Sequence, residues 1–353
     1  MLDGEIKTIM AKKRILIAGA YGVGNLGDEA ILAGTLNLMR ANSDLRKNEV
    51  IVFSRNPSET EKIHRIETRR RNPVDLLRSD EVIIGGGELF QSFGNMAIKY
   101  SLLGLICKTL RKNLIFHAIG ASSDLGRVEK MFTRLSLNVA DQITVRDKAS
   151  KRRLLDLGVN KTINILDDPA IYVKPITQFM ASFLLEKEGI QTNKNSIRIA
   201  IVSQLFQNRK LNDEFYRFLL EFLKDFLSKN SDINVIFVPF NKHFDKPLDS
   251  DIIYGKWLEK QLKTKKFKAI EGNYSPSQMM GIIGLMDIVL STRLHPLIFA
   301  TKMKVSAIGI GVFDKTIAFC KHHKIPLVKA SELKKIPVLI NNLIKNKPTS
   351  NSE

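Results

Sequence analysis

Cationic side chains follow short apolar runs at three places in the chain. Arg293 and His295 come after the run IVLS in the segment DIVLSTRLHPLIFAT, and a proline then marks a first helical turn. Lys315 follows the next run, in GVFDKTIAF, and Arg146 comes directly after ITV. Free amides at a helix start, beside a guanidinium, an imidazole and an ammonium, suit a phosphate or a carboxylate. If the last two runs are neighbouring parallel strands, Arg293, His295 and Lys315 open on one crevice.

Arg146 and a further basic segment also have a purely structural interpretation. A salt bridge from Arg146 to Asp147, or to the pair Asp167 and Asp168, would engage its guanidinium without any ligand. The strongly basic segment KWLEKQLKTKKFK, residues 256–268, is typical of a solvated helix face, and its functional alternative is a contact with anionic lipid. Position along the chain leaves both pairs of alternatives open.

The N-terminal run ILIA leads into a glycine-rich loop, AYGVGNLGDE, which precedes a helical pattern. Its glycines, Gly22, Gly24 and Gly27, satisfy the GxGxxG spacing of dinucleotide-binding proteins. Asn25, Asp28 and Glu29, however, place oxygen acceptors and carboxylates at the helix start, where they satisfy the amides and repel a phosphate. The next apolar run ends without an acidic residue for a ribose, although Arg55 could accept a 2′-phosphate, so binding of NADP stays open as an alternative.

Length, composition and net charge limit the possible classes of protein. A chain of 353 residues with 44% hydrophobic and 26% charged residues suits a soluble protein of two domains. The net charge of +19 calls for an anionic partner, but 7% aromatic residues and no recognised nucleic-acid motif argue against nucleic acid. An anionic membrane surface or a multiply charged small substrate fits the charge equally well.

Cysteine and histidine content makes a metal site or a disulfide framework unexpected. Cys107 and Cys320 are the two cysteines, both in apolar or helical surroundings, and the six histidines show no HExxH spacing. We therefore expect no metal and no cofactor. The N-terminal segment lacks a hydrophobic signal core, and the apolar stretch 100–110 is too short to span a bilayer and carries Lys108. These features predict a cytoplasmic protein with, at most, peripheral contact at the inner face of the membrane.

Apolar runs alternate with helical patterns along the whole chain, which predicts an α/β protein with mostly parallel sheets. We expect an N-terminal Rossmann-like domain over residues 1–175 and a linker over 176–195. A second such domain follows over 196–345, and residues 346–353 form a disordered tail. Two doubly wound domains facing each other across a cleft are the expected architecture.

Four segments together resemble the polysaccharide pyruvyl transferase family. They are AYGVGNLGDEAIL, EVIIGGGELFQ, ITVRDKASKRRLLDLGV, and STRLHPLIFAT followed by GVFDKTIAF, and they occur in that family's order from Arg14 to about Phe319. The resemblance implies a fold like that of the B-type glycosyltransferases and transfer of pyruvate from phosphoenolpyruvate onto sugar hydroxyls as a ketal. It also implies that Arg146, His295 and Lys315 bind phosphoenolpyruvate or act in the reaction. The chain departs from the family's pattern at Glu88, after the three glycines of the second segment.

The leading hypothesis is a pyruvyl transferase that acts on a cell-envelope polysaccharide or its lipid-linked precursor. Arg146, His295 and Lys315 are its catalytic candidates, and either Asp28 or Glu88 would orient or deprotonate the acceptor hydroxyl. The residues expected to bind substrate are Arg293, Gly22, Asn25, Asp28, Gly86, Gly87 and Glu88. One alternative is a glycosyltransferase of the same fold that uses a nucleotide sugar, and another is a non-catalytic protein that binds anionic glycan or lipid.

Overall fold

The computed structural model describes residues 12–43, 45–191, 196–204, 209–242 and 250–345. By the proximity of their Cα atoms, these residues form two compact units, one of residues 12–22 and 36–167 and one of residues 23–35 and 168–345. The part of the glycine-rich loop from Val23 onward therefore lies in the second unit, and Gly22 lies in the first. The expected tail, 346–353, lies outside the described residues, and the other domain bounds stay a prediction.

The first unit is built on a parallel sheet of seven strands in the order β3-β2-β1-β4-β5-β6-β7. The strands are β1 Arg14–Ala18, β2 Glu49–Phe53, β3 Thr68–Arg69, β4 Glu81–Gly85, β5 Asn113–Ile119, β6 Gln142–Val145 and β7 Ile163–Ile165. The helices between them are α1 Leu26–Ala41, which begins in the second unit, α2 Pro57–His64, α3 Pro73–Arg78, α4 Met96–Thr109, α5 Arg127–Val139 and α6 Lys148–Asp156. The strand order reverses between β1 and β4, so the carboxyl ends of these two strands are where such a sheet leaves a crevice.

The second unit has a parallel sheet of six strands in the order β10-β9-β8-β11-β12-β13. Its strands are β8 Ile197–Val202, β9 Ile233–Phe237, β10 Phe267–Ala269, β11 Ile288–Ser291, β12 Ser306–Gly311 and β13 Leu327–Lys329. Its helices are α7 Gln178–Lys187, α8 Arg209–Lys229, α9 Asp251–Leu262, α10 Pro276–Ile283, α11 Leu294–Lys302, α12 Asp314–His322 and α13 Ile336–Lys345. The order reverses between β8 and β11, and β11 carries Arg293 and His295 at its carboxyl end.

Apolar side chains cover both faces of each sheet. Along β8, Ile199 and Ile201 join one hydrophobic cluster, while Ala200 and Val202 join the other. Because successive side chains of a strand point to opposite faces, a strand buried on both sides reads as a continuous apolar run. The expected α/β class with two doubly wound parallel sheets is confirmed.

Helix α4 coincides with the apolar stretch that the sequence analysis singles out as too short to cross a membrane. Across the described ranges, no helix combines the length and the apolar character that a membrane span requires. Helix α5 packs along α4.

Candidate functional site

The turn between β11 and α11 is fixed by short-range hydrogen bonds. Ser291 Oγ accepts a hydrogen bond from Arg293 N at 2.9 Å and donates one to Arg293 O at 2.8 Å. Thr292 N donates to Val202 O at 3.0 Å, and Gln204 N donates to Thr292 Oγ1 at 3.2 Å. The turn is thereby tied to the end of β8, at the point where the strand order reverses. Arg293 is the N-cap residue, and because its side chain has no acceptor it cannot cap the first amides of α11.

His295 lies in the first turn of α11 and faces a carboxylate. Its side chain is 14% exposed, and its Nε2 lies 3.8 Å from Asp168 Oδ2, which is too long for a hydrogen bond but close for a charge contact. Asp168 Oδ1 accepts a hydrogen bond from Ala170 N at 3.0 Å, which fixes the orientation of the carboxylate. Of the three aspartates considered as partners for Arg146, Asp168 thus faces His295.

The glycine-rich loop passes directly over His295. A Cβ added at Gly27 would lie 2.2 Å from His295 Nδ1, although the backbone of Gly27 itself is not left-handed. Gly22 and Gly24, by contrast, have φ of 76° and 89°, in the left-handed region that favours glycine. Asn25 Oδ1 accepts a hydrogen bond from Gly27 N at 3.0 Å, as expected for an acceptor at a helix start. Two motifs more than 260 positions apart in the numbering therefore meet in one unit.

The loop is held in place by a backbone pairing with the segment after β9. Leu26 N donates to Phe240 O at 2.8 Å, and Lys242 N donates to Gly24 O at 2.9 Å. Asn25 and Asn241 form an antiparallel bridge between these hydrogen bonds. The position of Gly27 above His295 consequently depends on the conformation of residues 240–242.

Substitution of Gly27 by alanine is expected to displace either the loop or the imidazole. Since the added methyl group would overlap His295, we expect the free energy of unfolding to fall by about 1–3 kcal/mol. A matched control is Gly126→Ala, at a residue with φ of −71° whose added Cβ would meet only the flexible end of Glu129. Chemical denaturation of both variants checks this, and equal stability of the two would contradict the contact.

A buried ion pair supports residues 240–242. Arg293 Nη2 donates to Asp251 Oδ1 at 2.7 Å, and Asp251 Oδ2 accepts hydrogen bonds from Phe240 N at 3.0 Å and Asn241 N at 2.9 Å. Complete burial raises the pKa of the Asp251 carboxyl, while the charge of Arg293 and these backbone donors oppose the rise. Arg293 Nε is buried and has no hydrogen-bond partner among the described residues. Arg293 therefore pairs with Asp251, which supports the fold of its own unit. Its expected contact with substrate stays a prediction.

Removal of the Asp251 carboxyl should be strongly destabilising. Asp251→Ala leaves the Arg293 cation buried without its counter-ion and leaves two backbone amides unsatisfied, so we expect a loss of about 3–5 kcal/mol. The control is Asp225→Ala on α8, which breaks a pair with Lys229 whose aspartate is 64% exposed, and we expect at most about 1 kcal/mol there. Comparable losses in chemical denaturation would contradict a structural role for Asp251.

Lys315 lies at the start of α12, in the crossover next to that of His295. Strands β11 and β12 pair in parallel, and Thr316 Oγ1 donates to Thr292 O at 3.2 Å, which ties the two crossovers together. Lys315 is half-buried, and its Nζ lies 5.8 Å from the centre of the Phe313 ring. The expected adjacency of the two runs is confirmed.

In the first unit, Arg146 follows β6 and is almost fully enclosed. Its side chain is 4% exposed, and its Nε lies 3.9 Å from Asp147 Oδ2. A Cβ added at Gly120 would come within 3.0 Å of Arg146 Nη2, and Gly120 N donates to Gly87 O at 3.0 Å. Arg146 is thus linked through Gly120 to the glycine cluster that ends β4.

The remaining predicted site residues occupy loops and helix starts. Gly86 and Gly87 have left-handed φ of 95° and 80°, and Glu88 follows them and is half-buried. Asp28 is half-buried in the first turn of α1. Gly22 belongs to the first unit, where an added Cβ would lie 2.1 Å from Ser54 Oγ. Within the described ranges, no group of three His, Cys, Asp or Glu side chains is arranged to hold a metal ion.

Sequence reasoning missed two residues that organise these groups. Asp251 is the first residue of α9, after the N-cap Ser250, and no motif marks it. Acidic residues are common in the first turn of a helix, so its position alone does not indicate an ion pair. Gly120 follows the run LIFHAI, and a glycine after a strand of a parallel sheet is a signal that could have been used.

Comparison with known proteins gives both a family and a fold. A family model described as polysaccharide pyruvyl transferase matches residues 25–314. No curated protein is significantly similar to this chain in sequence.

Among solved structures, a putative UDP-N-acetylglucosamine 2-epimerase from Listeria monocytogenes superposes with a TM-score of 0.63 at 13% identity, over 96% of this chain and 89% of its own. A UDP-GlcNAc 2-epimerase from Neisseria meningitidis, bound to UDP-GlcNAc, gives 0.58 at 13% over 94% and 92%. ADP-heptose LPS heptosyltransferase II of E. coli gives 0.53 at 11% over 95% and 100%. Identities this low show a shared fold, that of two Rossmann-like domains as in B-type glycosyltransferases.

Proposed function

Since the chain belongs to the polysaccharide pyruvyl transferase family, we propose that it transfers pyruvate from phosphoenolpyruvate onto hydroxyls of a cell-envelope polysaccharide or its lipid-linked precursor. The product is a ketal, and phosphate is released. The observation that carries this proposal is the seating of the glycine-rich loop on His295, beside the Asp168 carboxylate. It joins two of the four segments on which the family resemblance rests.

The charge of the donor calls for several cations. Phosphoenolpyruvate carries about three negative charges near neutral pH, from one carboxyl and one phosphate group. We assign Lys315 to the phosphate and Arg146 to the carboxylate or the phosphate, because a guanidinium can bind either group through two parallel hydrogen bonds. Arg293 contributes positive charge behind the first turn of α11, where its pairing with Asp251 holds it.

Formation of the ketal takes two protons from the acceptor, one from each hydroxyl, and passes one to the methylene carbon of the donor and one to the departing phosphate. Protonation of the methylene carbon of phosphoenolpyruvate makes C2 electrophilic, and a sugar hydroxyl attacks C2 while the C2–O bond to phosphate breaks. A second hydroxyl of the sugar then closes the cyclic ketal. We assign His295 as the proton donor or as a partner of the phosphate. The Asp168 carboxylate, 3.8 Å from its Nε2, would orient the imidazole for this role.

The acceptor side is assigned to the glycine-rich loops. Left-handed glycines allow a backbone to approach a sugar closely, as at Gly86 and Gly87. Glu88 or Asp28 would orient or deprotonate the attacking hydroxyl. Gly22 and Asn25 are further candidates for contact with the acceptor, and no metal or cofactor is required by this scheme.

The experiment that tests the function measures phosphate release from phosphoenolpyruvate with purified protein. We expect release only when a suitable free or lipid-linked glycan is supplied, with the mass of the product raised by one pyruvyl ketal. Turnover of a UDP- or GDP-sugar on the same panel, with no response to phosphoenolpyruvate, would overturn the proposal in favour of a glycosyltransferase. Glycan or lipid binding without any turnover would overturn it in favour of a non-catalytic binding protein.

A further inference from the structure

Helices α4 and α5 of the first unit expose an unusually apolar surface. The large hydrophobic side chains concerned are Leu102, Ile106, Val128, Met131, Leu135 and Val139, each with between 39% and 53% of its surface exposed. On α5 they recur at intervals of three or four residues, so they form one stripe along the helix. Contiguous apolar surfaces of this kind on a soluble protein mark interaction sites more often than chance exposure. We call these six residues the α4–α5 face.

Close helix packing makes this surface continuous. A Cβ added at Gly104 would lie 2.7 Å from Ser136 Oγ, so position 104 of α4 lies level with position 136 of α5. Both helices cross back between strands of the same parallel sheet, so they run in the same direction. Leu102 and Ile106 therefore lie level with residues 134–138 of α5. The exposed apolar side chains of the two helices therefore lie at the same height on neighbouring helices.

The charges around the patch are positive. Helix α4 contains Lys99 and Lys108 and no acidic residue. Lys108 Nζ forms a salt bridge with Asp141 Oδ2 at 2.8 Å. Helix α5 carries three exposed basic residues, Arg127, Lys130 and Arg134, against a single acid. An apolar stripe flanked by basic side chains is the pattern of a surface that lies in the headgroup region of an anionic bilayer.

We propose that the α4–α5 face docks this protein onto an anionic membrane surface. The inference rests on the proposed function only in that a lipid-linked acceptor is met at such a surface. Apolar side chains enter the region between headgroups and acyl chains, and Arg127, Lys130 and Arg134 contact lipid phosphates. No helix of the described chain needs to cross the membrane for this mode of attachment.

A second copy of the chain fits this patch less well. A symmetric dimer formed through it would bring the basic residues of α5 close to the same residues of the other copy, in a chain with a net charge of +19. Like charges facing each other oppose association, whereas an anionic bilayer neutralises them.

The basic segment 256–268 is a weaker candidate for the same contact. Lys256 pairs with Glu271 at 2.6 Å, and Lys268 pairs with Glu259 at 2.8 Å. Lys266 Nζ donates to the backbone oxygens of Leu227 and Asn230 at 3.1 and 3.2 Å. Since these lysines bind groups of their own unit, part of the positive charge that the sequence displays there is already neutralised.

The test is flotation of the full chain with vesicles, without donor or acceptor, so that failure of docking is separate from failure of pyruvyl transfer. The vesicles contain equal parts of phosphatidylglycerol and phosphatidylcholine, or phosphatidylcholine alone. We expect binding to the first kind only, and a loss of about tenfold or more in the variant carrying both Leu102→Glu and Met131→Glu. A second variant with Lys130→Gln and Arg134→Gln should show a similar loss without any change in the apolar surface.

Matched controls place the same changes elsewhere. Phe179→Glu removes another exposed apolar side chain, on α7, and Lys256→Gln with Lys260→Gln removes two charges from the basic segment. Both controls should bind vesicles as the parent chain does. Unchanged binding of the α4–α5 variants would overturn the proposal, as would a loss confined to the control in the basic segment. A parent dimer that becomes monomeric in the Leu102→Glu and Met131→Glu variant would assign the face to a second copy instead.

Discussion

Replacement of His295 by alanine should lower kcat by about a hundredfold to ten-thousandfold, the range that a positioned general acid contributes. The imidazole lies beneath Gly27 and faces the Asp168 carboxylate, so its loss removes the group assigned to protonation or to the phosphate. The measurement is phosphate release at saturating phosphoenolpyruvate, with a glycan that supports turnover of the parent enzyme as acceptor. The thermal midpoint should stay close to that of the parent, because the side chain lies in the turn at the start of α11 rather than in a core.

Two further variants make the effect specific to this position. His322→Ala, at an exposed histidine in the last turn of α12, should leave kcat unchanged. Asp168→Asn keeps an oxygen for the amide of Ala170 but removes the negative charge beside the imidazole, so it should lower kcat less than His295→Ala. A His295→Ala enzyme that keeps a third or more of the parent kcat would contradict the assignment of His295 to the chemistry.

Replacement of Arg146 by alanine should act mainly on the donor. Hydrogen bonds from a charged donor contribute about 1.5–3 kcal/mol, so we expect the KM for phosphoenolpyruvate to rise by about tenfold to a hundredfold. Arg146→Lys keeps the charge but loses the planar fork, and it should recover only part of the loss. Steady-state kinetics with phosphoenolpyruvate varied at fixed acceptor gives the comparison.

The control for Arg146 must separate binding from folding, since its side chain is 4% exposed and packs against Gly120. Arg152→Ala removes an exposed arginine from α6, the helix that follows, and should change neither KM nor thermal midpoint. The lysine variant retains most of the buried stem, so its thermal midpoint should exceed that of the alanine variant. If both folded variants, Arg146→Lys and Arg146→Ala, kept the parent KM, Arg146 would not bind the donor. Its role would then be structural, through its contacts with Asp147 and Gly120.

Most of the sheet could be predicted because parallel strands buried on both faces produce continuous apolar runs. The runs at β1, β2, β4, β5 and β6 are all recognisable in the sequence. The edge strands β3, β10 and β13 were missed. They are two or three residues long and contain charged side chains, so they carry no run long enough to detect.

The sequence predicts only those parts of the candidate site in which the residue types themselves indicate the chemistry. Cations after apolar runs are visible in a sequence, and their adjacency in the second unit followed from strand order. The pairing of Arg293 with Asp251 was not visible, because the two residues are 42 positions apart and neither belongs to a repeat or motif that links them. The grouping of Val23 and the residues after it with the second unit was likewise hidden, since continuity of the chain favours grouping a loop with the strand before it.

The partition of α1 between the two units has a bearing on biosynthesis. Residues 23–35 leave the ribosome long before residues 168–345, yet Leu26, Ala30 and Ile31 belong to the same hydrophobic cluster as Phe240 and Leu297. The amide of Leu26 likewise gains its hydrogen-bond acceptor, the carbonyl of Phe240, only after residue 240 has been synthesised. The nascent chain must therefore hold an unfinished amphipathic segment until residues 240–297 have been synthesised. Residues 168–345 made as a separate polypeptide would lack residues 26–35, the ten residues of α1 that belong to their unit.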